Sequence, residues 1–119
     1  MKPVEVRVAS AVAFGGALVF LVVGLVLWRS TGDADVLKLP SFTAAVELAV
    51  AAALLLRMRV MHYPAMIVFI LVALLHLVIT LADGPAWTRA ASGVLAAVHL
   101  YGVVLLNTGP AREHLGGPR

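Results

Sequence analysis

Four long apolar runs constrain the fold of this chain more than any other feature. They cover residues 8–28, 41–57, 64–82 and 86–107, and short polar connections separate them. A helix rises about 1.5 Å per residue, so about 20 residues cross the hydrocarbon core of a bilayer, which is about 30 Å thick. We therefore predict an all-α integral membrane protein, an antiparallel bundle of four transmembrane helices with short loops.

The composition supports this prediction. Hydrophobic residues make up 62% of the 119 residues and charged residues 13%, whereas about a quarter of the residues in a soluble domain are charged. No segment outside the apolar runs is long enough for a core of its own, so residues 1–119 are predicted to form one membrane domain, with residues 108–119 as a short cytoplasmic tail. The chain has no cysteine, which excludes disulfides and thiol catalysis.

The first run is predicted to be a packed span. It is longer than the apolar part of a signal peptide, which has about 7–15 residues. It also carries small residues that would let another helix approach closely, namely Ala9, Ala13, Ala17, Gly16 and Gly24.

Turn and end signals separate the other runs. Residues 30–40 contain Gly, Asp and Pro and are predicted to be a loop, and residues 57–64 form a basic turn that makes the second and third runs a hairpin. Asp83-Gly84-Pro85 ends the third run, and Gly109-Pro110 ends the fourth. Residues 111–119 are predicted to be disordered.

The distribution of basic residues predicts the orientation. With four spans, one side holds Lys2, Arg7, Arg57, Arg59, Arg112 and Arg119, against Arg29, Lys38 and Arg89 on the other. Because the cytoplasmic side is the one richer in Lys and Arg, both termini are predicted to be cytoplasmic, in the plasma (inner) membrane. Trp28 and Trp87 would then lie near the outer interface and Tyr63 near the inner one.

Glu47 and His76 are the main candidate site residues, since an ionisable side chain inside a span is costly and is a functional hypothesis by default. Counted from the outer ends of their helices, each lies about seven residues down, or roughly 10 Å. This matching depth predicts a Glu47–His76 pair. Thr80 and Asp83 extend the His76 face towards the outer surface.

His99 is predicted to lie deeper, roughly 18 Å down, and therefore outside a direct pair with Glu47. Asp83, Glu47 with His76, His99 and His62 would form a descending polar series with gaps that water must fill. The same offset argues against a metal site of Glu47, His76 and His99 and against a bis-histidine haem, so no metal or cofactor is predicted.

Other chemistries find little support. The serines Ser10, Ser41 and Ser92 lie near no predicted base, and the chain has no Gly-rich phosphate loop. Its net charge of +3 comes from scattered basic residues and not from a patch, which argues against a nucleic-acid partner. We predict that the protein is not an enzyme.

The pattern of an acid in the second span, Glu47, a histidine in the third, His76, and an exit from the fourth after Asn107 resembles the DoxX-like group of small bacterial four-helix membrane proteins. The resemblance covers roughly residues 47–107 and rests on hydropathy and single residues. It implies the four-helix fold, and we carry no activity over from it.

Two functions are compatible with these residues. The first is an accessory or structural subunit, or one that binds a small lipophilic molecule, with Glu47 and His76 as a buried polar pair. The second is a small proton- or ion-coupled transporter that acts as a dimer, with Glu47 as the titrating group. The expected partners are the lipid bilayer and either a second copy of the chain or another membrane protein.

Overall fold

The structure is a computed structural model that describes residues 3–56 and 62–115, and these residues form an all-helical bundle. The helices are α1 (Val4–Thr31), α2 (Lys38–Leu55), α3 (His62–Leu81), α4 (Ala86–Leu106) and α5 (Gly109–His114), with a short 3₁₀ helix, Ala34–Leu37, before α2. Helices α1, α3 and α4, and α2 together with the 3₁₀ helix, are long and apolar enough to cross a membrane. This confirms the prediction of four membrane-capable helices.

The connection between α1 and α2 is shorter than predicted. Helix α1 continues to Thr31, where Gly32 adopts a left-handed conformation (φ 72°) and donates its N–H to Trp28 O. Glycine suits this position because it has no Cβ to clash. Since α2 already begins at Lys38, most of the predicted loop over residues 30–40 is helical. The predicted basic turn, with Arg57 and Arg59, lies largely outside the described residues.

The tail also differs from the prediction of disorder. Residues Gly109–His114 form α5, with Pro110 in its first turn. Ala111 and Leu115 are fully buried and join an apolar cluster with Val6, Leu54 and Leu106. The burial of these two side chains stabilises a segment whose polar and Gly/Pro-rich composition suggested disorder.

The helices pack mainly as two consecutive pairs, α1 with α2 and α3 with α4, and the predicted hairpin of the second and third runs has only a small contact. Helix α1 packs against α2 and α4, and α3 packs chiefly against α4, whereas α2 and α3 touch much less. The small residues of α1 lie at these contacts, with Ala9, Ala13 and Ala17 fully buried. This confirms the predicted close-packing role of the first run.

The bundle is apolar on its outer surface, and a few polar side chains are buried in a largely apolar interior. Large apolar side chains cover its outer surface, for example Phe42 with 69% of its surface exposed and Val94 with 64%, while Glu47, His76 and His99 are completely buried. An exposed apolar surface of this extent suits contact with lipid.

Candidate functional site

Glu47 on α2 forms its hydrogen bond with His99 on α4, through Glu47 Oε1 and His99 Nε2. Both side chains are fully buried. The predicted Glu47–His76 pair is therefore wrong in its partner, and His99 makes the direct contact with Glu47 that its estimated depth had excluded.

The error came from counting depth along single helices. That count assumes that the helix ends are level, but α2 begins at Lys38, so Glu47 lies nine residues from its start and about 3 Å deeper than estimated. The remaining difference in depth between Glu47 and His99 can be spanned by their two long side chains. Depth along the axis also says nothing about which helices are neighbours.

Gly16 on α1 makes the meeting of Glu47 and His99 possible. A Cβ atom placed on Gly16 would lie 2.7 Å from His99 Cε1 and 3.5 Å from Glu47 Oε1. The first distance is too short for any carbon side chain to fit without displacing the imidazole. Gly16 is a predicted helix-packing residue, and the structure shows that it also gives the buried pair its space.

The hydrogen bond made by His99 Nδ1 determines how many protons the Glu47–His99 pair holds. Nδ1 lies 2.7 Å from Leu95 O, and because a carbonyl oxygen only accepts, Nδ1 is the donor. In a neutral imidazole Nε2 then carries a lone pair and no hydrogen. A hydrogen bond to Glu47 therefore needs one further proton, either on the carboxyl group or on Nε2. In both arrangements the pair holds one shared proton and has no net charge.

His76 lies beside this pair, although it is not bonded to Glu47. Its ring centroid is 5.8 Å from that of His99 and 4.7 Å from that of Phe20. The structure thus brings three titratable side chains together.

The polar contacts of His76 are incomplete. Its Nδ1 lies 3.4 Å from Ser92 Oγ, within hydrogen-bond distance, so the expectation that Ser92 lies near no base is wrong. His76 Nε2 and Glu47 Oε2 are buried and have no hydrogen-bond partner among the described residues. Unpaired buried polar atoms are costly, and these two atoms mark the interior as a place where water or a ligand would be stabilised.

Thr80 fastens α3 to α4 near this site. Its hydroxyl donates to His76 O at 2.8 Å, and Arg89 Nε donates to Thr80 O at 2.9 Å. Asp83 is exposed just beyond the end of α3. Thr80 is thus a link between helices, while Asp83 stands at an opening of the bundle.

That opening is a cavity of about 400 Å³ at one end of the bundle. Its walls are largely apolar, with Phe20, Leu27 and Ile79 among them, and Asp35, Asp83 and Arg89 stand among its polar lining residues. Ser92 lines the cavity as well, and both Phe20 and Ser92 touch His76. The cavity therefore reaches the side of the buried site on which His76 lies.

The other end of the bundle is closed by apolar packing. Phe69 packs directly on Gly102 and edge-on to His99, with ring centroids 5.5 Å apart. His62, the last member of the predicted polar series, is buried and donates from Nε2 to Leu106 O at 2.9 Å. It caps the carboxyl end of α4, where carbonyl groups lack helical partners. The predicted series from Asp83 to His62 is thus interrupted by an apolar cluster.

Sequence reasoning gave Ser92 no part in the site and left out Phe20 and Phe69. Ser92 lies seven residues before His99, on the same face of α4, and this spacing was the available signal. The aromatic rings have no comparable signal, since an apolar residue in an apolar run is uninformative. Within residues 3–56 and 62–115 no group of three His, Asp or Glu side chains is arranged to hold a metal ion.

Comparisons with known proteins do not assign the chain to a family. No family model matches it, and neither the curated proteins nor the solved structures include a significant match. The resemblance to the DoxX-like group stays a prediction, and the chain is described by what its structure shows, a bundle of four membrane-capable helices around a buried Glu47–His99 pair.

Proposed function

We propose that this protein is a small membrane protein that binds a lipophilic molecule with a hydrogen-bonding head group. The observation that carries the proposal is the cavity at the end of the bundle, which has apolar walls and reaches His76 through Ser92. Small-molecule sites are typically concave, of about 300–1,000 Å³, and apolar with a few convergent polar groups. The cavity has this size and this chemistry.

The position of the polar groups supports a ligand with one polar end. Ser92 and His76 offer hydrogen bonds at the inner end, and Asp35, Asp83 and Arg89 stand among the residues around the cavity. An aliphatic chain would lie against Phe20, Leu27 and Ile79. Binding, and not catalysis, is the role that these groups support.

Because the chain has no cysteine, a single introduced thiol can report on ligand binding in the cavity. The test uses the protein in phosphatidylcholine vesicles, with decanol as the ligand. In S92C the new thiol lines the cavity, and in the matched control S41C it is exposed on α2 outside the cavity lining. We expect decanol to slow the reaction of S92C with a water-soluble methanethiosulfonate, in a saturable manner, and to leave S41C unchanged. Equal effects on both thiols, or none on either, would contradict the proposal and favour a purely structural or accessory role.

Proton- or ion-coupled transport by a dimer is a second proposal. The observation that favours it is the Glu47–His99 pair, which holds one exchangeable proton inside the bundle. Transport predicts that E47Q abolishes pH-dependent substrate movement in reconstituted vesicles, because glutamine cannot lose a proton. Transport that is unaffected by E47Q would exclude this role for Glu47.

For the membrane arrangement we propose antiparallel helices in the plasma membrane with both termini in the cytoplasm. Supporting this, Val6 near the start of α1 lies in one apolar cluster with Ala111 of α5 and with Leu115, so Arg7 and Arg112 share an end. Arg89 lies at the cavity, at the end that also holds Lys38 paired with Asp35. The cavity would then open to the outer side. A second copy or another membrane protein remains the proposed partner.

A further inference from the structure

Within the part of the chain that the structure describes, the polar neighbours of the buried pair lie towards the cavity. Towards the cavity lie His76, whose ring is 5.8 Å from that of His99, and Ser92, whose Oγ is 3.4 Å from His76 Nδ1. Ser92 is also part of the cavity wall. His76 and Ser92 therefore lie, one after the other, between the buried pair and the cavity.

On the opposite side the packing is apolar. Ala13, Val50, Phe69 and Leu106 belong to one buried cluster between the pair and the other end of the bundle. Ser10 on α1 adds a buried hydroxyl to that half, and its Oγ has no partner among the described residues. The two buried serines, Ser92 and Ser10, thus lie on the two sides of the pair.

We propose that the Glu47–His99 pair is a proton-binding site that exchanges its proton through the cavity, by way of His76 and Ser92, and not through the opposite end. A proton from the pair reaches His76 Nε2 through a water seated between Nε2 and Glu47 Oε2. His76 then releases the proton on Nδ1 to Ser92, whose hydroxyl passes its own proton to water in the cavity. One proton leaves the pair and one enters the cavity water.

The groups around the pair are consistent with this route. Helix α1 presents Gly16 and Phe20 there, neither of which titrates, so Glu47, His76 and His99 are the titratable groups that α2, α3 and α4 contribute beside the pair. His62 of α3 is also buried, but it is bonded to Leu106 O at the other end of the bundle. Asp35, Asp83 and Arg89 stand at the cavity. When the pair loses its proton, a carboxylate faces an imidazole lone pair, and the hydrogen bond is lost. Proton exchange is therefore coupled to the contact between α2 and α4.

The test compares hydrogen exchange in S92A and S10A. Protein labelled with ¹⁵N-histidine is reconstituted in phosphatidylcholine vesicles, and exchange with solvent of the proton shared by Glu47 and His99 Nε2 is followed by NMR, with H99N used to assign the signal. We expect S92A to slow this exchange by about tenfold or more, equivalent to about 1.4 kcal/mol in the barrier. S10A removes the same hydroxyl from the other half and should leave the rate unchanged.

A further variant separates blocked access from a local disturbance at His76. Val36 lines the cavity outside the buried site, so V36W fills the cavity without replacing a group on the route and should also slow exchange. If S10A slows exchange and S92A does not, or if all variants exchange like the parent protein, the proposal is overturned. No ligand is added in the exchange experiment. Failure of the proton-exchange proposal would therefore leave the ligand-binding proposal standing, and a negative decanol experiment would leave the proton-exchange proposal standing.

Discussion

Glu47 on α2 and His99 on α4 share a hydrogen bond inside the bundle, although their helices make little backbone contact with each other. The bond passes beside Gly16 of α1, whose missing side chain leaves room for the imidazole. The contact thus links three helices, α1, α2 and α4. Its contribution to the stability of the bundle can be measured with variants of these residues.

The first prediction concerns the choice of partner for Glu47. Removing one member of a buried pair leaves the other unpaired and costs about 3–5 kcal/mol, so E47L and H99L should each lower the stability of the protein in detergent. The double variant should recover part of this loss, with a coupling energy of about 0.5–3 kcal/mol. The measurement is a double-mutant cycle from reversible unfolding. A cycle with E47L and H76L is the control, and coupling larger there than for His99 would contradict the structure.

The second prediction compares two adjacent glycines. A Cβ on Gly16 would press on His99, whereas a Cβ on Gly15 meets no atom within 4 Å. We expect G16A to destabilise the protein by about 1–3 kcal/mol through overpacking. G15A should be neutral or slightly stabilising, because alanine is the better helix former by about 0.5–1 kcal/mol. Melting temperatures in detergent give the comparison, and equal values for the two variants would be inconsistent with the close approach at Gly16.

The third prediction tests the docking of α5. Leu115 is fully buried against the cluster that contains Val6, so L115A should cost about 2–5 kcal/mol, as for other buried leucines. Glu113, two residues earlier and on α5, is exposed, and E113A should change stability by no more than about 0.5 kcal/mol. Limited proteolysis of the C-terminal segment provides the readout. Rapid cleavage in the parent protein and both variants alike would restore the expectation of a disordered tail.

The fourth prediction concerns orientation. A reporter that is active only in the periplasm should be inactive when fused after Arg119 and active when inserted after Gly84, because the richer basic side is expected to be cytoplasmic. A cytoplasm-only reporter at the same two positions should give the opposite pattern. Activity of the periplasmic reporter at the C-terminus would reverse the proposed orientation, and the cavity would then open to the cytoplasm.

The sequence by itself determined the four apolar helices and three of the buried polar residues. An apolar run of about 20 residues has the length and composition for a span whatever its neighbours are, and Glu47, His76 and His99 stand out in such runs because burying a polar group is costly. The close-packing face of α1 was predictable for a similar reason, since alanine and glycine at helical spacing indicate close approach.

Only the tertiary structure decided which of these residues meet. The partner of Glu47 depends on the lateral order of the helices, on where α2 begins and on the space beside Gly16, and none of these follows from position along the chain. The cavity is likewise assembled from segments distant in sequence, around Phe20, Pro40, Asp83 and Ser92. Helix α5 forms because Ala111 and Leu115 find an apolar surface made by other helices, and this long-range burial has no signal in the local sequence.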